Sequence, residues 1–310
     1  MKISIITINY NNNEGLRKTI LSVLEQKPTL FEYIVIDGMS SDGSVETIRE
    51  YDSCIDYWVS EKDTGIYNAM NKGIARATGD YCIFMNSGDV FYQSDVLESI
   101  IPYLDGTAII NGDTVYASGK YDKSPDEVTL SYLMLSTIIH QSTFIRTDLL
   151  KHNNYDEKYR LVSDWKFWLQ ELIINNVSYK NIHIPISIFE EGGVGTTNVE
   201  VHDREMVQVL QELFPDRLLK EYYNFLNGRT WEEKLYKEIQ HSRLHKIMYV
   251  FNCAMIKLLT FFNKSSKWTG KYPLFFKQDM RNDNVLTDIY GNRNILRYIT
   301  KTNETVNNNN

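Results

Sequence analysis

Short apolar runs alternate with amphipathic stretches along the first hundred residues. Residues 2–8 (Lys2-Ile3-Ser4-Ile5-Ile6-Thr7-Ile8) are β-branched and read as a first strand. Leu16, Ile20, Val23 and Leu24 then recur on one helical face until Pro28 ends the pattern. Tyr33–Asp37 is a second apolar strand, followed by the turn-rich Gly38-Met39-Ser40-Ser41-Asp42-Gly43, where Asp42 can cap a helix carrying Val45 and Ile48. A third strand is expected around Tyr57-Trp58-Val59. Ile66, Met70, Ile74 and Ala77 space a helix up to Gly79, and Tyr81–Met85 is a fourth strand that stops at Asn86-Ser87-Gly88-Asp89. Residues 105–200 extend the same pattern. They hold strands near 107–110 and 177–184, a helix with Trp165, Trp168, Leu169, Leu172 and Ile173 on its apolar face, and a glycine-rich loop over 190–197. From about residue 203 the pattern is helical.

Strands joined by crossover helices imply an α/β fold with a mainly parallel sheet flanked by helices. Ligands bind such sheets beyond the carboxyl ends of the strands. The polar residues that follow each strand are Thr7, Asn9 and Tyr10, then Asp37, then Asp63, then Asn86 and Asp89. They are expected to converge on one edge.

Composition narrows the setting. A chain of 310 residues, 43% hydrophobic and 24% charged, has room for a substantial core. Its three cysteines, Cys54, Cys82 and Cys253, are widely spaced, which fits a reducing compartment better than a disulfide framework or zinc site. The N-terminal apolar stretch is too short for a signal peptide, and no run reaches the ~20 apolar residues of a membrane span. The chain is therefore expected to be cytoplasmic, or attached peripherally to the inner face of the cytoplasmic membrane.

The net charge of −7 is uneven. Residues 234–281 hold ten Lys/Arg and two Asp/Glu, which leaves 23 basic and 38 acidic residues elsewhere. The apolar run 243–264, followed by Lys267, Trp268, Lys271, Tyr272 and Lys277, fits a helix lying against anionic headgroups. Packing on the catalytic domain with a solvated basic face is the rival reading. Nucleic acid is not an expected partner, because the rest of the chain is acidic.

No GxGxxG follows the first strand and no GxxxxGK[ST] occurs, which argues against a dinucleotide dehydrogenase and a P-loop enzyme. A nucleotidyltransferase would carry a glycine-rich basic loop after the first strand, where this chain has Asn9-Tyr10-Asn11-Asn12-Asn13. Carboxylates at strand ends suit a nucleotide-sugar site. Asp37 can accept a hydrogen bond from a base or ribose. Asp89 can bind a divalent cation, Mn²⁺ or Mg²⁺, that neutralises a departing diphosphate.

Four segments in order carry a resemblance: Ile5–Asn11, Ile36–Ser44, Ser60–Gly73 and Gly79–Asp89. The chain resembles the family 2 glycosyltransferases, whose fold is GT-A, and in particular members that build bacterial colanic acid, capsule and O-antigen. The resemblance implies that Thr7 and Asn9, with Tyr10 beside them, contact the nucleotide base. It gives Asp37 to uracil or ribose, Asp63, Asn71 and Lys72 to the ribose and diphosphate side, and Asn86 to the nucleotide-sugar site. Asp89 is left as the metal ligand, since Asn86 and Gly88 stand where the usual Asp-x-Asp-Asp has acids. Met70 also departs from the family, many members of which carry Arg there.

Inverting transfer needs a base for the acceptor hydroxyl. The resemblance points to Asp164 in Ser163-Asp164-Trp165, with Asp156 as runner-up. His140 can touch acceptor or diphosphate, or be a satisfied core histidine. His202 can reach the metal, and Asp113 can face the sugar or close a turn.

The expected organisation is a GT-A catalytic domain over 1–202, with a nucleotide-sugar half (1–100) and an acceptor half (101–202). A helical region over 203–300 and a disordered tail over 301–310 follow. The expected function is inverting transfer from a nucleotide diphosphate sugar, a UDP-sugar by preference, to a glycan or lipid-linked acceptor. A degenerate transferase acting as a non-catalytic glycan-binding or scaffold subunit is the alternative.

Overall fold

The computed structural model describes residues 1–26, 31–191 and 198–227, together with Phe251 and Ala254. The expectations for residues 234–281, for the tail 301–310 and for most of the loop 190–197 lie outside the described residues. The chain divides into two compact units, one holding Met1–Met206 and a second beginning at Val207.

In the first unit the chain runs through β1 (Ile3–Asn9), α1 (Asn13–Leu24), β2 (Phe31–Asp37), α2 (Ser44–Glu50), β3 (Tyr57–Ser60), α3 (Ile66–Arg76) and β4 (Tyr81–Phe84). It continues through β5 (Val90–Phe91), α4 (Val96–Ile100), β6 (Ile109–Tyr116), β7 (Tyr121–Asp122) and α5 (Leu130–Leu135). The last elements are β8 (Thr143–Arg146), α6 (Thr147–His152), α7 (Ser163–Trp168) with a π-helical turn over Leu169–Ile174, and β9 (Tyr179–Phe189). Helix α8 (Val199–Leu213) crosses the division, and α9 (Asp216–Asn227) lies in the second unit. Among the described residues no helix is long and apolar enough to cross a membrane.

The strand order is β3-β2-β1-β4-β8-β6-β9-β5, with β7 paired to β6. Strands β3, β2, β1 and β4 are mutually parallel. β8 runs against both β4 and β6, so β6 and its parallel neighbour β9 point the same way as β1. The carboxyl ends of β1, β2, β3, β4, β6 and β9 therefore face one edge, as the alternating pattern predicts. The reversed strand β8 and the short antiparallel β5 and β7 are additions to that expectation. Such short strands carry too few residues to show a period.

Local chemistry explains the elements. Asn12 caps α1 by accepting from the Gly15 N–H at 3.1 Å. Asp42 acts one residue outside α2: its Oδ1 accepts from the Ser44 N–H, and its Oδ2 from the Asn13 N–H. Ile5, Ile20, Tyr33, Val35, Ile83 and Phe144 are among the fully buried side chains that weld sheet and helices into one core. Helix α3 sits so close to the sheet that a Cβ on Gly73 would stand 2.5 Å from Ile6 Cγ2. Only glycine permits that approach.

Candidate active site

The carboxyl ends of the first three strands are bound together at one carboxylate. Asn9, Asp37 and Ser60 sit side by side in the registers of β1, β2 and β3. Asp37 Oδ1 accepts from Asn9 Nδ2 at 2.8 Å and Ser40 Oγ at 2.6 Å, while Oδ2 accepts from the Ser40 N–H at 3.0 Å and Ser60 Oγ at 2.6 Å. Asn9 extends the tie to the next strand by accepting from Ser87 Oγ at 2.7 Å. Thr7 lies deeper. Its hydroxyl takes a hydrogen bond from Tyr33 and gives one to the Met85 carbonyl.

Thr7 and Asp37 are fully buried and Asn9 nearly so. The sequence assigns these three to ligand contact; in this structure their polar atoms are hydrogen-bonded within the fold. Ser40, Ser60 and Ser87, which the sequence reading passed over, supply most of those partners. Their place immediately after strands was the available signal.

In front of this layer stands Tyr10, 67% exposed. A Cβ on Gly38 would meet Asp63 Oδ2 at 2.4 Å and Tyr10 Cδ2 at 3.1 Å, so glycine lets Tyr10 and Asp63 close on the same turn. Asp63 also accepts from the Gly65 N–H. Lys72 is tied to Glu61 at 2.8 Å and to the Lys62 carbonyl at 3.1 Å, which holds the segment carrying Asp63 against α3.

The turn after β4 is shaped by Gly88 at φ +107°. Its N–H donates to Thr19 Oγ1, whose own hydroxyl donates to the Asp89 carbonyl at 2.7 Å. Asp89 itself is buried. Its Oδ2 accepts from Gln141 Nε2 at 2.9 Å and its Oδ1 from the Glu190 N–H at 2.8 Å. Burial pushes its carboxyl up to about 6, against the pull of those two hydrogen bonds.

The fold class implies a divalent cation. Asp89 fits one: it is a buried carboxylate whose charged form burial disfavours, so a cation beside it would favour that form. Among the described residues no group of three or more His, Cys, Asp or Glu gathers to hold a metal.

Asn86 and Asp164 are brought together by His140. His140 Nε2 is 3.0 Å from Asn86 Nδ2, and its Nδ1 is 3.2 Å from Asp164 Oδ2. The other oxygen of Asp164 accepts from the Tyr67 hydroxyl at 2.7 Å. Burial works to raise the Asp164 pKa, but the hydrogen bonds from His140, Tyr67 and the Trp165 N–H outweigh it and hold the carboxyl below its ordinary value. Burial first, then the charge of Asp164, raises the Tyr67 hydroxyl well above its usual range, so it remains a donor. Tyr67 was missed in the sequence, although it lies inside the segment Ser60–Gly73.

The remaining candidates also have partners within the fold. Asn71 clamps the loop after α6, bonding the Tyr155 carbonyl and N–H and Glu157. Asp156 is paired with the buried Lys166 at 2.6 Å. Asp113 accepts from Tyr121 and from the Ser124 N–H, closing the turn before α5. His202 pairs with Asp203 at 3.3 Å. Met70 is fully buried beneath α3. A cavity of about 460 Å³ lined by Thr78, Asp80, Arg146 and Lys151 lies at the amino ends of β1 and β4, the opposite edge of the sheet from these groups.

Comparison with known proteins agrees with this geometry. A family model described as glycosyl transferase family 2 matches residues 4–162. An uncharacterised glycosyltransferase of Mycobacterium tuberculosis is 30% identical over 203 residues, covering 63% of this chain and 77% of the relative. A glycosyltransferase of teichuronic acid biosynthesis from Bacillus subtilis is 28% identical over 148 residues, 44% of this chain and 58% of its own. Among solved structures, S. aureus TarS 1–349 in complex with UDP-GlcNAc has a TM-score of 0.57 at 19% identity, covering 77% of this chain and 81% of that one. A mannosyltransferase from Pyrobaculum calidifontis in complex with GDP-Man and Mn²⁺ has a TM-score of 0.53 at 15% identity, covering 83% and 80%. The match over half the chain, together with the GT-A arrangement of the sheet, makes this protein a member of the family 2 glycosyltransferases.

Proposed function

We propose that this chain moves a hexosyl or N-acetylhexosaminyl group from a UDP-sugar to a glycan or lipid-linked acceptor with inversion at the anomeric carbon. The observation that carries the reading is Asp164. It is a carboxylate kept ionised inside the protein, held by Tyr67 and His140, and linked through His140 to the turn that ends β4. In this reading Tyr10 stacks on the base, and Asp63 and Lys72 line the ribose and diphosphate side. Asp37 and Asn9 keep those groups in register.

As the acceptor oxygen attacks, its proton passes to Asp164 and the bond to the diphosphate breaks with its electron pair leaving on oxygen. Asp89 would hold a divalent cation, which when bound supplies charge neutralisation at the diphosphate. The preference for UDP draws on the TarS complexes with UDP-GlcNAc and UDP, while the Pyrobaculum enzyme shows that the same fold also accepts GDP-Man. The part of the relatives in surface glycan synthesis supports a polysaccharide or glycolipid product.

The test is a thermal-shift panel of UDP, GDP, CDP and dTDP, each with and without Mn²⁺. A ligand bound only by the folded chain raises its melting temperature by mass action. A metal-dependent rise with UDP alone is the expected result. No rise with any of the four would favour a non-catalytic glycan-binding subunit. Asp164→Asn is expected to reduce turnover by about 10²–10⁴-fold, and unchanged turnover would remove it as the base.

A further inference from the structure

The transfer described above needs nothing directly from His140, yet both of its ring nitrogens are committed. An amide NH₂ can only donate, so His140 Nε2 accepts from Asn86 Nδ2. The ring proton then sits on Nδ1, where it donates to Asp164 Oδ2. Phe84 meets the imidazole edge-on at 6.2 Å between centroids, which fixes the ring plane from the core side.

We infer that His140 is a positioning residue: Asn86 holds it in the Nδ1–H tautomer, and the ring in turn aims the Asp164 carboxylate. The inference rests on the reading of Asp164 as the base.

Three groups bear on Asp164, each from a different element. Tyr67 on α3 donates to Oδ1, His140 from the turn before β8 donates to Oδ2, and Tyr155 lies close enough to feel its charge. Around the imidazole stand Asn86, Asp164 and, at longer range, Asp89. Tyr67 and Tyr155 are both held neutral by burial, so neither competes with Asp164 for the acceptor's proton.

The choice of amide at position 86 follows from the same chemistry. A carboxylate there could only accept. It would draw a proton onto Nε2 and leave Nδ1 bare toward Asp164, or place an imidazolium between two acids. Asn86 avoids both, and its own Oδ1 is buried without a hydrogen-bond partner.

The experiment is a pH titration by NMR of the full chain carrying ¹³C-carboxyl aspartate and ¹⁵N-histidine, with His140→Ala and Asp164→Asn to assign the signals. The expected result is an imidazole protonated at Nδ1 and bare at Nε2 near neutrality. In His140→Ala the Asp164 carboxyl should titrate at higher pH, because burial is then opposed only by the hydrogen bonds from Tyr67 and the Trp165 N–H. Should His140→Ala not fold, Asn86→Asp keeps the ring in place and is expected to move a proton onto Nε2. A ring protonated at Nε2 in the unsubstituted chain, or an Asp164 titration unmoved by His140→Ala, overturns the inference. Turnover by Asp164→Asn reports separately. If it persists while these NMR signatures appear, the base assignment falls and the Asn86–His140–Asp164 pairing stands.

Discussion

Asn9 Nδ2 lies 2.8 Å from Asp37 Oδ1, and through that one contact the amide of β1 shares a buried carboxylate with Ser40 and Ser60. A buried acid accepting several hydrogen bonds is costly to disturb, because removing a donor leaves part of its charge uncompensated. Asn9→Ala is expected to lower the unfolding free energy by about 1–3 kcal/mol, read from urea denaturation. UDP affinity should fall with it, since Tyr10 and the turn 38–43 depend on the same edge.

Tyr10 offers the opposite case, a side chain with little to do in the fold. At 67% exposure its loss should leave unfolding within about 0.5 kcal/mol of the parent. Aromatic stacking on a base contributes roughly 1–3 kcal/mol, so Tyr10→Ala should weaken UDP binding about 5- to 150-fold by calorimetry. Tyr10→Phe should bind like the parent. Equal affinity in the alanine variant would remove Tyr10 from the base platform.

Gly73 tests the packing of α3. Glycine inside a helix ordinarily costs about 0.5–1 kcal/mol relative to alanine, so Gly73→Ala would stabilise an isolated helix. Here the added methyl would stand 2.5 Å from Ile6 Cγ2, on a side chain that is fully buried. Overpacking costs typically 1–3 kcal/mol and wins. The melting temperature of Gly73→Ala should therefore fall. In a double-mutant cycle with Ile6→Ala, part of that loss should vanish.

The fold was legible where periodicity ran long enough to show. Strands β1, β2 and β4 are rich in buried apolar residues, broken by Ser4 and Thr7 in β1 and Glu32 in β2, and α1 and α3 show an apolar stripe. β8 was hidden, since Thr143–Arg146 is only four residues and pairs antiparallel by tertiary contact. The site was legible as to its edge and less so as to its layers. That Thr7, Asn9 and Asp37 also tie neighbouring strands together was not legible, because a polar residue at a strand end looks the same whatever partners it finds in the fold. Asp164 gained its meaning only when Tyr67 and His140, 97 and 24 residues away in sequence, were seen on its two oxygens.

Glu32 gives the fold a pH limit. Burial works against its charge, yet hydrogen bonds from Lys2, Ser4 and Thr78 outweigh it and lower the carboxyl from 4.5 to about 2. A depressed folded pKa contributes stability that is fully present above the unfolded value and lost as pH falls through the folded one. Unfolding free energy should accordingly decline from about pH 4.5 toward 2. Glu32→Gln should be less stable at neutral pH and show a shallower decline, measured by urea unfolding at a series of pH values.

Asp89 titrates near neutrality for the opposite reason, with burial raising its carboxyl to about 6. A metal must displace the proton from its ligand, so affinity follows the ionised fraction of that ligand. At pH 7.5 Asp89 is mostly ionised and Mn²⁺ with UDP should raise the melting temperature. Near pH 5 most of it is protonated, and the metal-dependent part of the rise should shrink while any metal-independent UDP shift remains. Asp89→Asn should lack the metal-dependent part at both pH values. It should also be at least as stable as the parent without metal above pH 6, because it no longer buries an unpaired charge. A Mn²⁺ effect in Asp89→Asn equal to that of the parent would place the cation on other groups.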